Sequence, residues 1–377
     1  FNQQNKVVTL VAPTGRAAKR MQEATGMEAA TIHRMLGFGT DGDFKFKYDK
    51  DNKFSTDVIV VDEVSMIDVL LMQSFLNALK KSTQLVLVGD KDQLQSISPG
   101  NVLGDIISSG KVPTIELRQV FRQMDGKDSL ITSNARIINS GHSSGTSPLK
   151  TGTKWGKEDF YVTNNVTKEN VLNIIENHIP KQYNIKMDDI LILTPMRRKR
   201  GDLNCAVLNE EVQNVVNPHG EHIPVMTQNF RVNDKVMQMS NDYTKDVFNG
   251  DIGYITSWSR GETEDESSFY VDFYGRAVEY EFSEAKSLVH AWASTIHKAQ
   301  GSEADAVVVV LPDDYICRMM LTRNLLYTAV TRAKKVCVLV AKDNYIVKAI
   351  KTSGTEKRYT DLRDKLIEWY RRLQKTS

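Results

Sequence analysis

Cysteine is nearly missing from this sequence. Cys205, Cys317 and Cys337 are the only three in 377 residues. They lie far apart, so neither a disulfide framework nor a zinc site is expected, and a reducing cytoplasm is the fitting compartment. Long apolar runs are missing too. No stretch approaches the roughly 18–20 residues that span a bilayer, so no membrane partner is expected, and Phe1–Lys6 has none of the features of a secretory signal. Charge of one sign is also absent: Lys and Arg total 49 against 47 Asp and Glu, a net +2. A nucleic-acid partner would therefore have to be served by local basic patches rather than by an overall field. With 41% hydrophobic and 25% charged residues, disorder is excluded as well. No internal repeat is evident.

What the chain does contain is a set of short apolar runs: Val7–Ala12, Val58–Val61, Leu85–Val88, Ile190–Leu193, Ala306–Leu311 and Val336–Ala341. Being rich in Val and Ile and without alternation, they read as parallel strands buried on both faces. Most are followed at once by polar or glycine-bearing segments, Pro13-Thr14-Gly15-Arg16, Asp62-Glu63, Gly89-Asp90 and Thr194-Pro195. In open α/β sheets, ligands bind just beyond the carboxyl ends of the strands. Helix-like stretches such as 15–25, 66–80 and 322–333 lie between them. Two regions break the rhythm. Residues 37–57 carry alternating Phe44, Phe46 and Tyr48 and predict a protruding hairpin. Residues 205–284 hold strand-like segments at 235–239, 253–258, 269–273 and 277–282 and predict a small β-barrel inserted into the second α/β domain. The Ser/Gly/Thr-rich 140–156 predicts a mobile loop.

The strand Val58–Val61 ends in two carboxylates. An NTPase needs one acid here to hold Mg²⁺, usually through water, and another to orient or deprotonate the attacking water. An apolar strand ending in Asp-Glu is common by itself. The neighbouring strand strengthens the reading, because Leu85–Val88 leads into Gly89-Asp90-Lys91-Asp92-Gln93, and a Gln placed there can sense a γ-phosphate.

The strings VIVVDEVSMID, LVLVGDKDQLQSISPGNVLGDI, ELRQVFRQ, ASTIHKAQGSEADAVVVVL and LLYTAVTRAKK resemble motifs II to VI of superfamily 1B helicases, in that order. The second string is most similar to RecD-type enzymes, the exodeoxyribonuclease V alpha subunit and its stand-alone relatives. The resemblance covers essentially the whole chain. It implies two RecA-like α/β domains, at 1–120 and at 121–204 with 285–377. A pin hairpin would lie at about 37–57 and an SH3-like insertion at 205–284. It implies Asp62 as the Mg²⁺-associated acid, Glu63 as catalytic base and Gln93 as γ-phosphate sensor. Arg122 and Arg332 would be arginine fingers, with Arg118 an alternative to Arg122. Gly301 and Glu303 would lie at the nucleotide, Glu303 on the ribose.

Single-stranded DNA would be held by Pro13, Thr14, Gly15 and Arg16, by Thr31 and His33, and on the second domain by Thr295, His297 and Lys298. The two TIH segments, one per motor domain, suggest equivalent backbone contacts, and phosphate contacts of this kind grip without reading sequence. Arg197 and Arg198 open a basic run just past a strand end and are expected to touch DNA. The activity implied is an ATP- and Mg²⁺-dependent 5′→3′ DNA helicase of repair or recombination. It would act on single-stranded and fork DNA as a monomer, with other recombination or repair proteins as further partners. A phosphate-cradling Gly-x-x-x-x-Gly-Lys-[Ser/Thr] string occurs nowhere in these residues. In the family it would precede Phe1, so this polypeptide by itself is expected to hydrolyse ATP negligibly. Nuclease activity is not expected, for want of a separate carboxylate cluster. The rival readings are the motor part of a conjugative relaxase or a phage Dda-type helicase, and a catalytically dead DNA-binding module.

Overall fold

The computed structural model describes residues 5–38, 45–117, 129–142, 149–197, 201–242, 244–263, 266–354, 358 and 360–376. The chain divides into two units, residues 1–120 with 355–377, and residues 121–354.

The first unit is built on β1 (Val8–Ala12), β2 (Ala29–Thr31), β3 (Val58–Val61) and β4 (Gln84–Leu87). They form one parallel sheet in the order β2-β1-β3-β4. Val11, Ile59 and Val61 are fully buried, as uninterrupted β-branched runs require when helices cover both faces. The register aligns Val11 with Val61 and Val61 with Leu87. The polar segments beginning at Pro13, Asp62 and Gly89 therefore leave the sheet at one edge. Helix Gly15–Thr25 starts on Thr14, whose hydroxyl accepts from Ala17 N, and stops at Gly26 in the left-handed region (φ 68°).

The expected protruding hairpin is not found in the described part of 37–57; residues 39–44, Phe44 among them, lie outside the described residues. Lys47 N and Tyr48 N both donate to Leu36 O. Phe46 and Tyr48 pack onto the unit's core instead of projecting from it. The end of the chain also departs from expectation. Residues 355–377, expected with the second motor domain, group with the first unit. There helix Leu362–Thr376 lies along helix Val102–Ser109 and Leu362 joins the core.

In the second unit, β5 (Phe160–Thr163) and β6 (Ile190–Thr194) precede an antiparallel sheet, followed by β12 (Ala293–Thr295), β13 (Ala304–Val310) and β14 (Ala333–Val340). These five form a parallel sheet in the order β12-β6-β13-β14-β5, the second sheet expected from the apolar runs. The inserted sheet comprises β7 (Lys235–Gln238), β8 (Ile252–Ser259), β9 (Ser268–Phe273), β10 (Arg276–Glu281) and β11 (Leu288–His290), paired β10-β9-β8-β7-β11. Its own core gathers Phe230, Ile255, Phe269, Val271 and Tyr280. The insertion is shifted relative to 205–284. Residues 205–216 form a helix whose Leu208 and Val212 belong to the core of the parallel sheet, and the antiparallel sheet runs on through His290.

The segment expected to be mobile, 140–156, is pinned where it is described. Asn134 exchanges two hydrogen bonds with the backbone of Lys150 (2.7 and 2.9 Å). Trp155 is stacked between Tyr161 and His178 at 4.1 and 4.6 Å.

Candidate functional site

At the carboxyl edge of the first sheet the chain leaves β3 through Asp62, whose backbone N–H still donates to Val11 O (3.0 Å). The Asp62 Oδ1 accepts from Glu63 N at 2.8 Å. Glu63 sits in the left-handed region at φ 52°, ψ 41°. A non-glycine residue held there costs on the order of 1–2 kcal/mol, and such positions cluster at functional sites. Val64 N then donates to Val88 O (3.0 Å), which ties this turn to the end of β4. Gly89 makes the approach possible: a Cβ on it would lie 2.9 Å from Leu103 Cδ2 and 3.0 Å from Val64 N. Beyond it Asp90 accepts from Asp92 N (2.9 Å), and Gln93 Nε2 reaches Asp90 Oδ2 at 3.5 Å. The structure thus brings the Asp62-Glu63 pair and Gln93 to the ends of adjacent, hydrogen-bonded strands.

Along the same edge Thr14 and Thr31 each cap a helix, accepting from Ala17 N (3.3 Å) and Arg34 N (3.1 Å). Pro13 and Gly15 form the strand–helix turn around Thr14, and Arg16 is buried. The His33 ring packs on Phe38 and Phe46, with centroids 5.9 and 6.0 Å away. Burial holds its pKa below the ordinary 6.5, against a weaker opposing pull from Asp68. A neutral imidazole can donate one hydrogen bond to a phosphate but brings no charge.

In the second unit a cleft of about 260 Å³ opens between helix Cys205–Val216, β7, β11 and β12. Arg197, Thr295 and Lys298 all line it, so three of the expected DNA contacts share one surface. Thr295 Oγ1 accepts from Lys298 N (3.3 Å), and Lys298 Nζ donates to Asn249 Oδ1 (2.9 Å) in the inserted sheet's β7–β8 connection. His297 has its pKa lowered by burial, as His33 does. Arg198 lies outside the described residues, as do Arg118 and Arg122.

The cleft also exposes residues that sequence reasoning missed: Asn209, Gln213, Gln228, Asn229 and His290. Asn209 is fixed by a paired exchange with Ala293, Nδ2 to O and N to Oδ1, both 2.8 Å. Gln213 and His290 converge on Asp234, which is fully buried. Nothing in the local pattern singled these amides out, because Asn and Gln on a helix surface ordinarily face water. Cys205 lines the cleft as an inert thiol, its pKa pushed by burial up to about 12.

Arg332 is buried, with Nε donating to Thr328 O (3.2 Å) and Nη1 to Ser302 O (3.1 Å). It braces the turn that contains Gly301 (φ 72°). Glu303 is ion-paired with Lys334 at 2.6 Å.

Comparison with known proteins agrees with this layout. The AAA domain family matches residues 1–99, the ATP-dependent RecD-like DNA helicase SH3 domain residues 208–273, and the UvrD-like helicase C-terminal domain residues 290–340. The ATP-dependent RecD2 DNA helicase of Deinococcus radiodurans is 34% identical over 331 residues, which is 87% of this chain and 42% of that protein. The RecBCD enzyme subunit RecD of Mycolicibacterium smegmatis is 32% identical over 388 residues, covering 95% of this chain and 66% of the relative. The chain thus spans only part of the length of both relatives. Among solved structures, the Pif1 helicase of Candida albicans superposes with a TM-score of 0.52 at 19% identity, covering 100% of this chain and 90% of that one, a likeness of fold. No helix among the described residues is long and apolar enough to cross a membrane. With the family's domains matched in order and the motif residues at successive strand ends, the chain belongs to the RecD-like family of superfamily 1B DNA helicases.

Proposed function

We propose that this chain is the motor of an ATP-driven helicase that moves 5′→3′ along single-stranded DNA in repair or recombination. The observation that carries the reading is the alignment of Asp62-Glu63 and Gln93 at the ends of adjacent parallel strands. Pro13, Thr14 and Thr31 stand on the same edge.

The residues present fit part of a nucleotide site. Asp62, with one oxygen engaged by Glu63 N, matches an acid that holds Mg²⁺ through water rather than as one of several direct ligands. When bound, Mg²⁺ supplies charge that stabilises the transferring phosphoryl. Glu63 takes the proton of the attacking water, and its strained backbone holds the carboxylate where the chain turns out of β3. Gln93 donates its amide to the γ-phosphoryl and relays its loss to the loop it belongs to. Arg122 and Arg332 are proposed as charge donors to that group, and Gly301 and Glu303 as nucleotide contacts. The phosphate cradle itself is not among these 377 residues.

DNA is gripped through Thr14, Thr31 and His33 on the first unit, and through Arg197, Thr295, His297 and Lys298 on the second. Because both histidines are held towards the neutral form, the grip relies on hydrogen bonding, with charge from Arg197 and Lys298. Phosphate contacts without base readout suit a motor that must pass over any sequence. Two relatives, one named an ATP-dependent RecD2 DNA helicase and one a RecBCD enzyme subunit RecD, frame the partner question. We favour the monomeric form.

The test is ATP hydrolysis by the full-length gene product with and without single-stranded DNA, paired with strand displacement on forks carrying a 5′ or a 3′ tail. DNA-stimulated hydrolysis that Asp62→Asn and Glu63→Gln abolish, with displacement from the 5′-tailed fork, is expected. Hydrolysis that survives Glu63→Gln would overturn the reading of the site, and displacement only from the 3′-tailed fork would overturn the polarity.

A further inference from the structure

Residues 89–101, which carry Gln93, connect β4 to helix Val102–Ser109 without regular structure. Two backbone bonds tie this loop to the turn after Asp62-Glu63: Ser96 N donates to Ser65 O (3.0 Å) and Val69 N to Pro99 O (3.2 Å). The loop is thus a brace between the acid pair and the proposed sensor. Its far side curls so that several of its oxygens point to one place, and a single guanidinium, from the other end of the chain, occupies that place. Arg358 Nη1 donates to Ser98 O (2.8 Å), Gly100 O (2.6 Å) and Ser96 Oγ (3.1 Å), and Nη2 donates to Ser96 O (2.5 Å). Converging carbonyls need a donor between them, and a cation serves better than a neutral group. Beside it Thr360 Oγ1 donates to the buried Asp105 at 2.7 Å. Helix Leu362–Thr376 then lies along helix Val102–Ser109, which anchors the clasp at its base.

We propose that Arg358 is a positioning residue for ATP hydrolysis, fixing loop 93–100 so that Gln93 and the Asp62-Glu63 turn keep a constant relation. The inference rests on the ATP-driven reading above. It assigns a role to the C-terminal segment, which lies outside the motifs. The planar fork is what the geometry needs, since it offers donors at two nitrogens to oxygens in different directions, whereas an ammonium is a point donor.

The experiment uses the full-length protein, with Arg358→Ala and Arg358→Lys, and reads two things. Amide hydrogen exchange across residues 89–101 reports the brace directly. ATP turnover at saturating single-stranded DNA reports its consequence, with kcat and KM separated. For Arg358→Ala we expect faster exchange confined to this loop, kcat lowered on the order of tenfold and KM for ATP within about twofold, the pattern of a lost transition-state arrangement. Arg358→Lys is expected to remain at least about threefold slow, because a point charge cannot span the oxygens. Unchanged exchange in the loop, full rescue by lysine, or faster exchange throughout the first unit with a general loss of activity would each overturn the proposal. If the wild-type protein shows no DNA-stimulated hydrolysis, the helicase reading fails, and the exchange arm still decides whether Arg358 braces the loop.

Discussion

Replacing Asp234 by alanine should do more damage than any other single change at the cleft of the second unit. Asp234 is fully buried between the inserted sheet and helix Cys205–Val216. Its carboxylate accepts from Gln213 Nε2 (2.6 Å), Arg231 N (2.7 Å) and Asn217 Nδ2 (2.8 Å), and His290 Nε2 lies 3.0 Å away. Alanine removes the acceptor and leaves these donors facing one another across a void. Each buried donor left unpaired costs about 1–3 kcal/mol, and several together make a large share of the roughly 5–15 kcal/mol that holds a domain folded. Asp234→Asn keeps the shape and one oxygen. Its amide meets Asn217, whose Nδ2 has a second acceptor in Val232 O (2.8 Å), so about 1–3 kcal/mol is expected. Urea unfolding followed by tryptophan fluorescence suits the measurement, because Trp292 is buried and stacked 5.5 Å from His290. Because Gln213 and His290 line the cleft, single-stranded DNA affinity should fall in the same order. The reasoning fails if Asp234→Ala loses less than about 1 kcal/mol, well short of the penalty for unpaired buried donors, or if asparagine proves the worse of the two.

Further outcomes follow from other residues. Glu63→Gly and Glu63→Gln should both stop ATP hydrolysis in the full-length protein. Only the glycine should raise the free energy of unfolding, by about 1 kcal/mol, because it alone relieves the left-handed backbone at φ 52°; equal melting temperatures would contradict this. Lys298→Ala should weaken single-stranded DNA binding and lower the slope of log affinity against log salt by about 0.7. Asn229→Ala should weaken binding at constant slope, and a slope change there would remove the distinction between charge and amide contacts. Burial lowers the folded-state pKa of His33 and His297 below 6.5. The unfolded chain therefore takes up protons that the folded one refuses, so their contribution is complete above pH 6.5 and is lost as pH falls below it. Melting temperatures at pH 7.5 and 5.5 should converge in His297→Asn, and an undiminished difference would count against burial as the cause.

The two parallel sheets were legible because β1, β3, β6, β13 and β14 are continuous apolar runs, largely buried as expected, whereas β4, read as equally buried, is only half-covered. The short strands β2, β5 and β12 at or near sheet edges were not, since Ala29–Thr31 or Ala293–Thr295 is too brief to show a period. Four inserted strands were readable by alternation, while β11 was lost against the 3₁₀ turn before it. Asp62, Glu63 and Gln93, proposed as acids and sensor, could be picked out by their position after strands. The amides of the cleft did not, because what sets them apart is burial around Asp234, a property of the assembled surfaces. In the 37–57 segment, Phe46 and Tyr48 pack on the core in the described part, because alternating aromatics suit a tethered loop as well as a hairpin. Arg358 carried no local signal at all, because its partners are some 260 residues away in sequence.

That return of the chain has a bearing on how the protein is made. A ribosome delivers all of residues 121–354 before it delivers Arg358, so the second unit can finish folding while the first still awaits its last helix. A product halted at Gly354 would keep Asp62, Glu63, Gln93 and the cleft of the second unit, yet the loop 89–101 would lack the Arg358 guanidinium. The relation between Gln93 and the Asp62-Glu63 turn is thus completed only after the whole second unit has been synthesised.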